Sequence, residues 1–531
     1  MERSSRTPSF LLVGAALAML SATFCFAQER PPAANASRAA AAEQEKPAPI
    51  PPEKNSVTEH SLSLDAKTLA YKATAGTLLI NGEDEKPDAS VFYVAYTLDN
   101  VSDLKARPVT FLYNGGPGSA SMWLHMGSVG PVRVVTASPE ATGSAPYQLV
   151  PNQYSLLDLT DLVFIDAVGT GYSRPVGKGT LKDFAGTDQD VRAFEKFIYR
   201  YISVNHRWNS PKFLFGESYG TTRSAALADA LQNAGMPVNG VVLMSSILNY
   251  FDLAPGTDAV FIGNLPSYAA IASHFEKVSH KGKDEKAFLN EVRAFARGPY
   301  AEALAQGDNL PQAQADAIAA RLASYTGLSV QYIKEANLRI SPTRFRKQLL
   351  RDERAILGRY DARFEGTDVD AAGENPGYDP SSSGITGAFV SALHDYLDRE
   401  LKYSSDETYY PSGPGINQAW DHSHRLGSAP PNAGPGQGGG QAMREAYVAG
   451  DLADAIRKNP HLRVLSVNGL FDLATPFFIT EYDLAHIELE PKLRANIEFT
   501  YYPSGHMIYL NVDALKQLKI DLTAFYARAL Q

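Results

Sequence analysis

Apolar residues first gather between Leu62 and Tyr96, in the short runs Gly76-Thr77-Leu78-Leu79-Ile80 and Val91-Phe92-Tyr93-Val94-Ala95-Tyr96, with the turn pair Asn81-Gly82 between them. These predict an opening set of antiparallel strands. Four further runs, Val109 to Tyr113, Leu162 to Ile165, Phe213 to Phe215 and Val241 to Met244, are each short enough to be strands buried on both faces. Helical periodicity fills the intervals. Thr187 with Asp190 three residues on reads as a capping box, and Val191, Phe194, Phe197, Ile198 and Tyr201 then share one helical face. Alternating strand and helix predicts an α/β fold with a doubly wound, mainly parallel sheet.

From about Tyr250 to Gln441 the alternation stops. Helix-like segments such as Asp284 to Arg297 and Ser341 to Leu357 predict an inserted, mostly helical cap over 250–441, closing in the flexible Gly/Pro-rich loop Gly427 to Gly440. The core, begun over 56–249, resumes over 442–531 with a helix at Met443 to Lys458 and strands at Val464 to Val467 and Ile497 to Tyr501.

At the N-terminus, Arg3 and Arg6 precede an apolar stretch from Phe10 to about Ala22 and the residues Cys25-Phe26-Ala27, the pattern of an export signal over 1–27 cleaved after Ala27. The stretch is too short to span a bilayer, and no other span is expected. Residues 28–55, rich in Pro, Ala and charge, read as a disordered linker. The single cysteine, Cys25, falls inside the signal, and Phe24 before it argues against lipid attachment. An exported chain without disulfides fits a bacterial periplasm first and the external medium second.

With 531 residues, 44% of them hydrophobic, the chain can build one large domain or two. Its net charge of −9, without a long Lys/Arg run, argues against nucleic acid as a partner and leaves small or peptidic ligands. Asp421-His422-Ser423-His424 reads as surface residues, not a metal site, and Gly438-Gly439-Gly440 lacks a phosphate-binding context. No cofactor is expected.

The chemistry concentrates where strands end. Phe213-Leu214-Phe215-Gly216-Glu217-Ser218-Tyr219-Gly220 is a strand running into Gly-x-Ser-x-Gly with a helix able to follow, the context that lifts a serine hydroxyl out of a strained turn. A serine needs a base, and the base an orienting acid. Asp472, in Asn468-Gly469-Leu470-Phe471-Asp472, and His506, in Ser504-Gly505-His506-Met507, each follow a strand in the chain order this arrangement requires. Asn114-Gly115-Gly116-Pro117-Gly118-Ser119 follows another strand, and its amides, with that of Tyr219, suit an oxyanion hole. His125 is expected to line the pocket.

These segments, together with Asp166-Ala167-Val168-Gly169-Thr170-Gly171-Tyr172-Ser173, resemble the serine carboxypeptidases, which have the α/β-hydrolase fold. The resemblance implies Ser218, Asp472 and His506 as catalytic triad and the Gly116 and Tyr219 amides as oxyanion donors. It also implies that Asn114, the Gly115 amide and Glu217 hold the free C-terminal carboxylate of a peptide substrate, with Met507 among the substrate-contacting positions. A carboxylate beside Glu217 is tolerated only if the two share a proton, which favours mild acid. The chain departs from the family at Ser119, where many members carry a disulfide cysteine, at Leu470, where an acidic residue is usual, and at Ser128, where a second glutamate is frequent. The function expected is release of C-terminal amino acids through an acyl-enzyme on Ser218. An esterase or acyltransferase would use the same triad without the carboxylate clamp, and a non-catalytic binding protein would not need the triad.

Overall fold

The computed structural model describes residues 47–64, 67–278, 284–427 and 442–531. The expected signal, most of the expected linker and nearly all of the Gly/Pro-rich loop lie outside the described residues. No helix among the described residues is long and apolar enough to cross a membrane.

Strands β1 (Asn55–Leu64), β2 (Lys67–Asn81) and β3 (Pro87–Leu98) form an antiparallel opening. Then come β4 (Val109–Tyr113), β5 (Asp161–Ile165), β6 (Lys212–Glu217), β7 (Gly240–Met244), β8 (Arg463–Gly469) and β9 (Ile497–Tyr502). They join one sheet in the order β1-β2-β3-β5-β4-β6-β7-β8-β9, and every pairing from β5 to β9 is parallel. All residues of β4, β5 and β7 are buried, as expected of strands covered on both sides.

Because successive side chains on a strand point to opposite faces, the strands feed two cores. Phe111, Ile165, Leu214 and Val241 pack against the helices Thr187–Val204, Tyr219–Asn233 and Ala449–Lys458. Leu112, Phe164, Phe215 and Val242 pack against Pro380–Arg399 and Val512–Ala529. A third core lies between β7 and β8 in sequence, where helices Ala259–His274, Glu285–Phe295 and Gln312–Thr326 bury Leu265, Val292 and Leu322 against Phe471 and Phe477.

Three local expectations are corrected. Ser341 to Leu357 is not one helix: Ser341 Oγ caps Pro342–Gln348, the chain turns at Arg354 with φ 57°, and Ala355–Leu357 pairs with Glu365–Thr367 as a strand. The helix expected from Met443 begins at Ala449, because Ala442–Met443 pairs with His424–Arg425. Gly186, not Thr187, is the N-cap of the helix Thr187–Val204, and Asp190 forms no capping box because it turns inward to a buried arginine, Arg223.

Candidate active site

The elbow after β6 is built as its glycines require. A Cβ on Gly216 would stand 2.1 Å from the Gly220 carbonyl oxygen, and one on Gly220 would stand 2.8 Å from that of Tyr113. Ser218 between them has φ 62° and ψ −131°, a conformation non-glycine residues hold only when the surroundings impose it. Its own N–H donates to Met244 at 3.0 Å and its carbonyl accepts from Thr221 at 2.8 Å, which fixes the turn.

Asp472 follows β8 and His506 follows β9. His506 Nδ1 lies 2.7 Å from Asp472 Oδ2. Asp472 is fully buried and accepts from the Ala474 and Thr475 amides at 2.7 and 3.0 Å and from the Thr475 hydroxyl at 2.8 Å. The Thr475 hydroxyl also lies 3.1 Å from His506 Nδ1. Burial alone would lower the proton affinity of His506, but the charge and hydrogen bond of Asp472, with the charge of Glu217, outweigh it and raise the pKa. His506 Nε2 is buried with no hydrogen-bond partner among the described residues, so no bond yet joins it to Ser218; both residues line one cavity of about 600 Å³.

The backbone of His506 is held from two sides. Its N–H donates to the Tyr360 carbonyl at 2.5 Å, its carbonyl accepts from Ser245 Oγ at 2.7 Å, and the Tyr360 ring packs 5.3 Å from the imidazole. Gly505 permits this crossing, since a Cβ there would stand 2.4 Å from the Tyr360 carbonyl oxygen. Sequence reading missed Tyr360 and Thr475; the first lies in a region without motifs, the second three residues past Asp472 in a turn.

The loop after β4 meets the elbow backbone to backbone. A Cβ on Gly115 would lie 2.3 Å from the Tyr219 nitrogen, and Gly116 and Gly118 have φ of 108° and 85°. Tyr219 opens its helix, so its N–H has no helical acceptor and is free for an anion. Arg223, fully buried, joins the two segments: Nη1 donates to the Asn114 carbonyl at 2.8 Å, and Nε and Nη2 to Asp190 at 2.7 and 3.1 Å. The segment 410–425 straps the outside. Gly413 N–H donates to the Gly118 carbonyl at 2.8 Å, and the Trp420 ring stands edge-on to Tyr219 at 5.1 Å. Arg223 carried no sequence signal, and of the strap only Asp421-His422-Ser423-His424 drew attention, as surface residues.

Glu217 is buried, and burial is the main reason its carboxyl is pushed up to about 7; His506, Tyr509 and Asn114 pull the other way. Glu217 Oε2 has no hydrogen-bond partner among the described residues. Asn114 Oδ1 accepts from the Leu124 amide at 2.8 Å, which leaves the side-chain amino group for other partners. Asn114, Gly115, Gly116, Glu217, Ser218, Tyr219, His506 and Met507 all line the cavity, and Asp472 stands behind the imidazole.

Two secondary expectations change. His125 does not line the cavity: it is buried 2.6 Å from the Tyr96 hydroxyl and stacked on Phe164, and burial lowers its pKa to about 3. His424 is not a surface residue, because its two ring nitrogens lie 2.7 Å from Asp188 and 2.7 Å from Asp451. Burial disfavours its charge, yet the two carboxylates outweigh that and raise its pKa to about 9. Ser128 is buried and its hydroxyl donates to the Leu124 carbonyl.

Sheet order and strained elbow are those of the α/β-hydrolase fold. Residues 66–241, which hold the glycine-rich loop after β4 and the elbow, match the family model described as serine carboxypeptidase. It is 28% identical over 241 residues to the pheromone-processing carboxypeptidase KEX1 of Cryptococcus gattii, covering 43% of this chain and 34% of the relative. It is 29% identical over 168 residues to serine carboxypeptidase-like 29 of Arabidopsis thaliana, covering 30% and 32%. The chain thus spans about a third of the length of the curated relatives it matches. The crystal structure of the prohormone-processing carboxypeptidase Kex1(delta)p from Saccharomyces cerevisiae superposes with a TM-score of 0.51 at 15% identity, covering 86% of this chain and 91% of that one, a likeness of fold.

Proposed function

We propose that the protein is a serine-type carboxypeptidase that releases C-terminal amino acids from peptides. The observation that carries this reading is the buried Glu217 carboxyl, held near neutrality beside Asn114 in the cavity that Ser218 and His506 share. An ester substrate has no use for a proton-bearing carboxyl there, whereas a peptide's terminal carboxylate accepts its proton and the Gly115 N–H. Ser218 attacks the last peptide carbonyl, His506 takes the hydroxyl proton and passes it to the leaving amine, and Asp472 holds the imidazole. The Gly116 and Tyr219 amides receive the oxyanion, Met507 borders the leaving residue, and water releases the acyl group. The serine–imidazole hydrogen bond tightens when substrate fills the cavity.

The 250–441 stretch acts as a cap over this site, and the expected signal over 1–27 directs the chain to a bacterial periplasm or the medium; fractionating expressing cells tests the latter. Blocked dipeptides with free and amidated C-termini test the activity. The free forms should be cleaved and Ser218→Ala should slow release by at least about a thousandfold. Equal cleavage of amidated peptides would point to a general esterase or acyltransferase.

A further inference from the structure

One charged group in the cavity has no part in the reaction just described. Among the described residues lining it, Arg359 is the only lysine or arginine and Glu217 the only carboxylate. The Arg359 backbone is fixed on both sides, its N–H donating to Asp379 Oδ1 at 2.9 Å and its carbonyl accepting from Leu473, next to Asp472, at 3.1 Å. The side chain is exposed and rides over the Tyr360 ring, with the guanidinium 5.3 Å from its centroid; that ring in turn packs on His506. Among the described residues no carboxylate lies within ion-pair distance of the guanidinium, and Asp379 Oδ1 is already taken by the Ser381 hydroxyl at 2.7 Å.

An arginine beside apolar and neutral polar surface in a concave site is a ready partner for a carboxylate, which it binds through two parallel N–H donors. Its position sets which one. His506 must deliver its proton to the nitrogen of the departing residue, so that residue lies on the imidazole side, and Arg359 reaches the cavity from that side through Tyr360. The α-carboxylate of the departing residue is directed to Asn114, Gly115 and Glu217, on segments that do not include Arg359. Its side chain remains. We propose that Arg359 is a specificity-determining residue that pairs with the side-chain carboxylate of the released amino acid, so that peptides ending in Glu or Asp are the preferred substrate class. This rests on the carboxypeptidase reading.

The test compares acyl-Ala-Glu, acyl-Ala-Gln, acyl-Ala-Leu and acyl-Ala-Lys at about pH 6, where a side-chain carboxyl is ionised. The wild-type protein should favour Glu over Gln in kcat/KM by about tenfold, the worth of one charged hydrogen-bonded contact, with Lys the poorest. Arg359→Met should level Glu with Gln, and Arg359→Glu should place Lys above Glu. Equilibrium binding of the same four peptides to the Ser218→Ala protein should give the same order without turnover. Release of leucine with a Glu to Gln ratio within about twofold would overturn the inference and leave the carboxypeptidase reading standing. A loss in Arg359→Met that is equal for all four peptides, or a Glu preference found only at the residue before the cleaved bond, would also overturn it. Failure to release any C-terminal residue would remove the reading, and this inference with it.

Discussion

At the scale of single residues, the site combines a serine held in a strained turn with a buried carboxyl whose pKa burial raises. The pKa of Glu217, about 7, lies above the ordinary value of 4.5 because burial disfavours its charge. On the proposed function, below about pH 7 it carries the proton that a substrate carboxylate would need, and above it the two would repel. The KM for free peptides should therefore rise as pH passes through 7, and Glu217→Gln, which keeps a donor without a titration, should flatten that rise in a pH series on one blocked dipeptide. Gly115→Ala should reduce kcat by at least about a hundredfold, since its methyl would stand 2.3 Å from the Tyr219 nitrogen proposed to serve the oxyanion; steady-state kinetics on the folded variant checks this. Residues of this kind were readable in the sequence because their chemistry is local, with glycines flanking a serine at a strand end. Arg223, Tyr360 and Arg359 were not, because each matters through partners far along the chain.

Among the elements, the strands were legible where apolar runs had to be buried on both faces, and β4 and β7 fall within a residue of expectation. Helix starts were less so. The Thr187/Asp190 pair has the form of a capping box, but a fully buried guanidinium competes for Asp190 more strongly than a backbone amide does. The strap 410–425 has no periodicity, and its Asp421-His422-Ser423-His424 read as surface residues; one of its holds on the core is His424, clamped between Asp188 and Asp451 from the first turns of two separate helices. Removing one member of so buried an ion cluster leaves uncompensated charge. His424→Ala should lower unfolding stability by about 3 kcal/mol in denaturant titration. Because Trp420 on the same strap packs on Tyr219, kcat should fall with it.

For the whole molecule, several buried groups bind their protons more tightly folded than unfolded. Glu217 goes from 4.5 to about 7, Asp166 from 3.8 to about 6, and His424 from 6.5 to about 9. Stability from His424 is fully present below about pH 6.5 and lost as pH rises through about 9, while that from Glu217 and Asp166 is fully present below 4.5 and 3.8 and lost as pH rises through about 7 and about 6. In strong acid the sign reverses, as at Asp421, whose carboxylate is held low by hydrogen bonds from Ser423. Tm should therefore peak in mild acid and decline toward pH 9, as scanning calorimetry over a pH series would record. The Tyr360 carbonyl that receives the His506 amide comes from the long excursion between β7 and β8, so His506 rests on a foreign shelf. An engineer who shortened that excursion to a bare loop, hoping for a minimal hydrolase open to bulky substrates, would be left with an intact sheet and a wandering imidazole.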